Sequence, residues 1–473
     1  MHFESLKDIQ IHCSHTVAEA MECISRNINS TGGYGLALVI DNDERLAGVV
    51  TDGDIRRALL SEYTLDSSVD LIMQKKPITT TPNKSYHQLL RLFERNIKHI
   101  PVIDDSGHII DLLLYDALVP DVTPVGSLLR AKAPLRISFA GGGTDMTHVI
   151  ESLRGEIISA TIDRYCYADL VLRNDSKIVL HSADFDQTVT IPSFDAIKYD
   201  GNLDLLKAAI RVTEPKFGLD LHTSSDVLPG SGLGGSASLS VAIIGLIEHI
   251  RTGYIDEYRV ADLAFQAERV ELGIRGGWQD QYAAVFGGLN YMEFDKEGVV
   301  VHPLRLNDRT RSEIESNTIL CFTGQTRHSG DIHSEIDSNI SKASSGLSDE
   351  YSAMLRLVED VREALLKGNL VKFGYLLDKT WLAKREMKNG ISNSKADELY
   401  NLAKEHGALG GKLLGAGGGG YMLFYCDALS KHRVKKALQI AGAEPVTFNL
   451  DFQGLRIWPS EKALNQTIHQ NGL

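Results

Sequence analysis

Cysteine is scarce. The 473 residues hold five (Cys13, Cys23, Cys166, Cys321 and Cys426), scattered, odd in number and without a C-x-x-C spacing. That excludes a disulfide framework and a cysteine-based zinc site, and it fits free thiols in a reducing cytoplasm. Basic residues are outnumbered, 49 Lys and Arg against 62 Asp and Glu, for a net charge of −13. A nucleic-acid binder normally shows a basic face, so nucleic acid is not an expected partner, while a locally basic pocket for a phosphorylated small molecule stays open. Long apolar runs are missing too: the longest stretch, around Val241 to Ile247, falls far short of a membrane span. The opening MHFESLKDIQ has no basic region followed by an apolar run, so no secretory signal is expected. Together these absences predict a soluble, cytoplasmic protein with no membrane partner.

Length suggests two or three domains, and the apolar and charged fractions, 43% and 23%, are ordinary for a globular chain. The rest is organised around Leu228 to Ile250, LPGSGLGGSASLSVAIIGLIEHI. Pro229, Gly230, Ser231, Gly232, Leu233, Gly234, Gly235, Ser236, Ala237 and Ser238 make a glycine–serine loop. The run after it is apolar on nearly every side, as in a helix buried in a large core. Glycines let the backbone approach a ligand closely, and the helix start offers unpaired N–H groups and a positive dipole end. The junction therefore suits phosphate. No Lys-Ser or Lys-Thr pair closes it as in a Walker loop, and no acidic residue ending a second strand supports a dinucleotide fingerprint.

Residues 1–122 read as one unit written twice. The first copy predicts a helix near Val17 to Ile28, strands at Leu36 to Ile40 and Leu46 to Thr51 about the turn Asp41-Asn42-Asp43-Glu44, and a helix over Asp54 to Leu60. The second predicts a helix near Tyr86 to Arg95, strands at His99 to Ile103 and Ile109 to Leu114 about Asp104-Asp105-Ser106-Gly107, and a helix from Asp116. The unit resembles a cystathionine-β-synthase (CBS) domain. Gly48 to Asp54, GVVTDGD, is close to that family's G-x-x-T-x-x-D signature. The resemblance implies a regulatory pair in which Thr51 and Asp54 grip the ribose of an adenine nucleotide. In the second copy Asp111 replaces the glycine and Leu114 the threonine, leaving only Asp116. The other reading is a dimerisation module that binds nothing; a homodimer or larger assembly through the pair is expected.

Residues 123–131 read as a linker, broken by Pro124 and Gly126 just after Pro120. From 132 to 473 one large unit is expected, its first part ending near 310 and its second starting near 311. The overall class is α/β (α+β) in two parts. The unit opens with APLRISFAGGGTD, Ala133 to Asp145, where Leu135, Ile137 and Phe139 alternate as in a half-buried strand running into a glycine turn. Farther on, Ala261, Ala264, Ala267 or Glu268, and Leu272 share one helical face. A carboxylate in such a stripe is costly unless it meets a cation, whereas Glu271 lies nearer the edge and reads as solvated. In GGWQDQYAAVFGG, Gly276 to Gly288, glycines end one element and an apolar run begins another, which places Asp280 to face a cleft. Arg327, in the polar loop TGQTRHS, reads equally as a phosphate-holding guanidinium or a surface arginine. GGKLLGAGGGGYMLF, Gly410 to Phe424, reads as strand, glycine turn and strand.

In order, APLRISFAGGGTD, the Pro229–Ser238 loop and KLLGAGGGGYML resemble the three motifs of the GHMP small-molecule kinases over about residues 132–460. The strings AGGGTD, GWQDQYAAVFGG and KLLGAGGGGYML are most similar to D-glycero-D-manno-heptose 7-phosphate kinases, less to L-fucose kinases and least to mevalonate kinases. The resemblance implies ATP and Mg2+ as cofactors, and γ-phosphoryl transfer to the anomeric hydroxyl of a sugar phosphate that feeds nucleotide-sugar synthesis for surface polysaccharide. It implies that the backbone of Gly230 to Ser236 cradles the phosphates and that Ser236 and Glu268 hold the metal. Asp280 would act as base with Arg136 orienting it. Gly142, Gly143, Thr144, Asp145, Arg327, Gly417 and Gly418 would surround the sugar. Two other readings are an L-fucose-type kinase and an inactive nucleotide sensor; the presence of Glu268 and Asp280 argues against the second.

Overall fold

The computed structural model describes residues 6–27, 35–81, 99–114, 128–326, 347–387 and 391–460. The chain divides into two units, Met1–Val122 and Thr123–Leu473.

In the N-terminal unit, Gln10–His12, Leu36–Ile40 and Leu46–Thr51 form one sheet, its first pair parallel and its second antiparallel. His99–Ile103 and Ile109–Leu114 form an antiparallel pair. The repeat is visible in the hydrogen bonds. Asp41 Oδ1 accepts from the amides of Asp43 and Arg45, and Asp104 Oδ1 from those of Ser106 and His108. An aspartate that folds the backbone over itself between two apolar runs leaves the strands little freedom of register. The helix expected from Asp54 begins at Asp52, because Thr51 caps it. Thr51 Oγ1 accepts from the Asp54 amide at 3.3 Å, and the Asp54 carboxylate accepts from the Thr51 amide at 2.9 Å. The two side chains expected to grip a ribose thus hold each other in a capping box. The expected helices near Tyr86 to Arg95 and from Asp116 lie outside the described residues.

The C-terminal unit is built on two sheets. In the larger, the order runs Gly298–Pro303, Leu289–Asp295, Gly155–Leu172, Leu219–Ser225, Ile178–Ser182, Gln187–Ile191. Leu128–Ala140 pairs with Gly155–Leu172 on one side and with Arg456–Pro459 on the other. The smaller sheet is antiparallel: Ala408–Leu413, Tyr421–Cys426, Thr318–Phe322, Glu444–Val446. The helix Gly235–Thr252 packs on Leu128–Ala140 and Gly155–Leu172, and Val241 to Ile247 are all buried.

Two expectations need correction here. Leu128–Ala140 begins inside the expected linker, so residues 128–131 are strand: Leu129 and Ala131 are buried, and the Ser460 amide donates to the Leu128 carbonyl at 2.8 Å. Ala133 to Ala140 are buried on both faces, not one, because Gly235–Thr252 and the helices Leu347–Leu366 and Leu370–Met387 all pack on the strand.

Candidate active site

The glycine–serine loop delivers the chain from the strand Leu219–Ser225 to the helix Gly235–Thr252. Gly230, Gly232 and Gly234 have φ of +75°, +81° and +79°, a left-handed conformation at every second residue that only glycine adopts without strain. Gly234 is the N-cap, and no side chain caps the helix, so the amides of its first turn remain for an anion. The third glycine loop lies directly on this one. The Tyr421 amide donates to the Ser231 carbonyl at 3.0 Å. A Cβ on Gly420 would stand 2.3 Å from that same oxygen, and one on Gly232 would stand 2.9 Å from the Leu414 carbonyl. Between them opens a cavity of about 660 Å³.

Arg136 and Asp280 meet at its wall in a two-pronged pair. Arg136 Nε donates to Oδ1 at 2.8 Å and Nη2 to Oδ2 at 2.9 Å, while Nη1 reaches the Gly232 carbonyl. The arginine side chain is 5% exposed and the aspartate 20%, so the carboxylate keeps an open side. Asp145 sits beyond it at the start of the helix Gln279–Phe286. Its Oδ2 accepts from the Gln279 amide at 3.1 Å and from Gln279 Nε2 at 3.2 Å, its Oδ1 from the Gly143 amide at 3.2 Å. Burial raises its pKa, and the neighbouring Asp280 adds to the rise. Gly277 makes room for it: a Cβ there would stand 1.9 Å from Oδ2.

Family models match the chain in four places: "GHMP kinases N terminal domain" at residues 204–288, "GHMP kinases C terminal" at 361–444, and "CBS domain" at 6–61 and 68–119. D-glycero-alpha-D-manno-heptose 7-phosphate kinase of Campylobacter jejuni is 36% identical over 339 residues, 70% of this chain and 98% of that one. The chain belongs to the GHMP kinases. A solved D-glycero-D-manno-heptose 1-phosphate kinase of Bacteroides thetaiotaomicron superposes with a TM-score of 0.59 at 29% identity, covering 70% of this chain and 98% of that one. The L-fucokinase/L-fucose-1-P guanylyltransferase of Bacteroides fragilis is 28% identical over 66% of this chain but only 36% of its own length.

Of the site residues expected in this GHMP kinase, Arg136, Gly142, Gly143, Asp145, Pro229, Gly230, Ser231, Gly232, Gly234, Gly235, Ser236, Asp280 and Gly417 line the cavity. The remaining described ones do not. Leu233 and Ala237 are buried, and the Leu233 carbonyl takes the Arg136 amide at 3.0 Å. The Ser238 hydroxyl donates to the Pro134 carbonyl at 2.9 Å, pinning the helix to the sheet. The Thr144 hydroxyl lies 2.9 Å from the carbonyls of Gly141 and Glu156 and locks the first glycine turn instead of facing the sugar side. Gly418 is drawn away by its amide, which donates to the Ile391 carbonyl at 2.9 Å. Arg327 lies outside the described residues.

Glu268 is fully buried behind the cavity wall, where the expected α-helix widens into a π turn, Gln266–Glu271. Gln281 donates to its Oε2, Arg269 stands 3.9 Å from that oxygen, and Oε1 has no hydrogen-bond partner. A desolvated carboxylate oxygen left bare is the chemistry a hard cation satisfies, so the site fits Mg2+. Glu271 is not simply solvated: Tyr199 donates to it at 2.6 Å, and Arg211 stands 3.6 Å away. Glu268→Gln is expected to raise the Mg2+ concentration needed for half-maximal rate more than it raises the acceptor KM, with Glu271→Gln close to wild type. A metal titration in which Glu271→Gln is the sensitive variant would reverse the assignment.

Two lysines escaped the sequence reading. Lys412 is buried in the strand Ala408–Leu413 and donates to the Ser138 carbonyl at 2.8 Å; burial pushes its pKa well below the usual lysine value, with Lys384 and Arg136 adding to the fall. Lys384, on Leu370–Met387, also reaches the cavity. An inward lysine in a strand as buried as Ala408–Leu413 was a readable signal; Lys384 left none.

Proposed function

We propose that this GHMP kinase moves the γ-phosphoryl group of ATP to the anomeric hydroxyl of a heptose 7-phosphate-like sugar. The observation that carries the reading is the Arg136–Asp280 pair beside an uncapped helix start. Phosphates bound at the first turn of Gly235–Thr252 would lie next to a carboxylate held rigid by two hydrogen bonds. Asp280 accepts the proton of the attacking hydroxyl while Arg136 fixes its orientation. Asp145, already gathering three donors, hydrogen-bonds the sugar hydroxyls together with the amides about Gly142 and Gly143. Ser236 and Glu268 would hold Mg2+, which would supply positive charge against the nucleotide phosphates. Positioning and charge neutralisation dominate such reactions, so a rigid site of this kind suffices. Arg269 and Arg275 on the cavity wall favour an acceptor that already carries a phosphate. The similarity to heptose phosphate kinases supports the same choice.

An ADP-release assay over heptose 7-phosphate, hexose 6-phosphates, L-fucose, free hexoses and mevalonate tests this. A phosphosugar is expected to give the highest kcat/KM. Turnover of L-fucose with none of any phosphosugar would transfer the assignment to the fucose-type reading.

For the N-terminal pair, we infer one adenine-nucleotide site at the first copy, which changes kinase activity. Thr51 and Asp54 would share their mutual hydrogen bonds with a ribose. Calorimetry on residues 1–122 with AMP, ADP and ATP is expected to show one site per chain. It should be lost in Asp54→Asn, which keeps an oxygen for the Thr51 amide, and unchanged in Asp116→Ala. A flat titration with all three nucleotides would leave a dimerisation module.

A further inference from the structure

Lys384 stands on a helix that carries none of the glycine motifs, yet its side chain lies between two of them. Its Nζ donates to the Gly415 carbonyl, in the third loop, at 2.6 Å. On the other side, a Cβ on Gly142, in the first loop, would stand 3.6 Å from the same nitrogen. An ammonium group has three donors, and the Gly415 carbonyl takes one. Among the described residues, no carboxylate forms an ion pair with it. Asp280 is held by Arg136, and Asp145 by Gln279 and the Gly143 amide. The groups that face Lys384 are Arg136 from Leu128–Ala140, Asp145 from the turn after it, Asp280 from Gln279–Phe286 and Lys412 from Ala408–Leu413. Two lysines and an already paired arginine thus surround a space whose carboxylates are engaged. Desolvated positive charge of this kind is matched by an anion that arrives with the substrates.

We propose that Lys384 is a catalytic residue, its ammonium group contacting a nonbridging oxygen of the phosphoryl group in flight between ATP and the acceptor hydroxyl. The inference rests on the kinase reading above. In that step the bond from the γ-phosphorus to the β–γ bridging oxygen breaks, and its electron pair leaves with ADP. The bond from the hydroxyl oxygen to phosphorus forms, and the hydroxyl proton passes to Asp280. A cation placed over the moving group acts on charge that is arranged differently in the transition state from in bound ATP, so it raises kcat more than it tightens binding. The position of Nζ, beside the Arg136–Asp280 pair and against both loops, favours the transferred group over a phosphate at the far end of the sugar. Burial, with Arg136 adding to it, pushes the Lys384 pKa down to about 8, so the free enzyme loses this charge as the pH rises through that value.

The test uses the full-length chain with its best acceptor and three variants, K384M, K384Q and K384R. Glutamine can still donate to the Gly415 carbonyl but carries no charge. In both K384M and K384Q, kcat is expected to fall by roughly 10²–10³-fold. The ATP KM and the affinity for a fluorescent ATP analogue should stay within about threefold of the parent, since the lost interaction belongs to the transition state. The parent's kcat/KM should decline above about pH 8, in step with the lysine. K384R, whose guanidinium stays charged, should recover part of the rate and lose that decline. A K384Q enzyme with near-parental kcat overturns the proposal, because the lysine then only fastens the loop. A loss confined to the acceptor KM also overturns it and assigns the ammonium to the sugar's own phosphate. Failure of the kinase reading itself is a separate result, visible in the parent enzyme as no turnover of any sugar.

Discussion

Asp280→Asn is expected to bind nucleotide as the parent does and to turn over roughly 10²–10⁴-fold more slowly. The amide oxygen can still accept one of the two hydrogen bonds from Arg136, so the strand Leu128–Ala140 and the helix Gln279–Phe286 stay fastened. What the amide cannot do is take the hydroxyl proton. Arg136→Met should behave differently, losing melting temperature as well as rate. It strips Asp280 of both donors and the Gly232 carbonyl of a third. Breaking a buried pair from one side costs about 3–5 kcal/mol, and a carboxylate partly open to the cavity puts this one at the lower end. Steady-state kinetics and a fluorescent-nucleotide titration on the same preparations check both outcomes. A folded Asp280→Asn enzyme with near-parental kcat would end the assignment of the base.

Gly420→Ala should strongly destabilise the kinase unit, and it should do so at the contact between its two glycine loops. At φ +95° the residue occupies a conformation that a side chain strains, and its Cβ would come 2.3 Å from the Ser231 carbonyl. Relief means pulling the two glycine loops apart and stretching the hydrogen bond from Tyr421 to Ser231. Backbone strain and overpacking together cost about 2–5 kcal/mol, and the ATP KM should rise with them because the phosphate loop loses its backing. Gly235→Ala is the contrast: the space about its Cβ is open and its φ is not left-handed. A thermal melt should leave it at or above the parent. Equal melts for the two variants would show that the loops move independently.

Much of this was legible in the chain itself. In the first copy of the N-terminal repeat, both strands fall where the apolar runs on either side of the Asp41–Glu44 turn put them, since pattern and turn chemistry point the same way. The glycine-rich junction was legible because left-handed backbone at every second residue needs glycines at that spacing. The order of the three motifs then fixed the family. Side-chain direction was the harder matter. Ser238 and Thr144 belong to motif strings, yet their hydroxyls turn inward to carbonyls, because a buried hydroxyl takes the nearest acceptor. Glu268 was readable as a buried carboxylate, but the π turn that presents it has no pattern of its own. Thr51 and Asp54 match a ligand signature and a capping box equally well at the same spacing. Lys384 lies 104 residues after Asp280 in an amphipathic helix, and only tertiary packing brings it to the loops.

The strand that opens the kinase unit, Leu128–Ala140, is paired edge to edge with Arg456–Pro459 near its close. Beginning and close therefore meet at a seam, with Leu128 and Ser460 joined backbone to backbone. A rearranged gene could join these two positions through a short connector and open new ends at the exposed hairpin tip Lys296–Glu297. Such a permuted kinase should keep both glycine loops, the Arg136–Asp280 pair and the cavity. The N-terminal pair would lose its covalent tether to the opening strand, so a nucleotide effect relayed along that tether would disappear while phosphoryl transfer persisted.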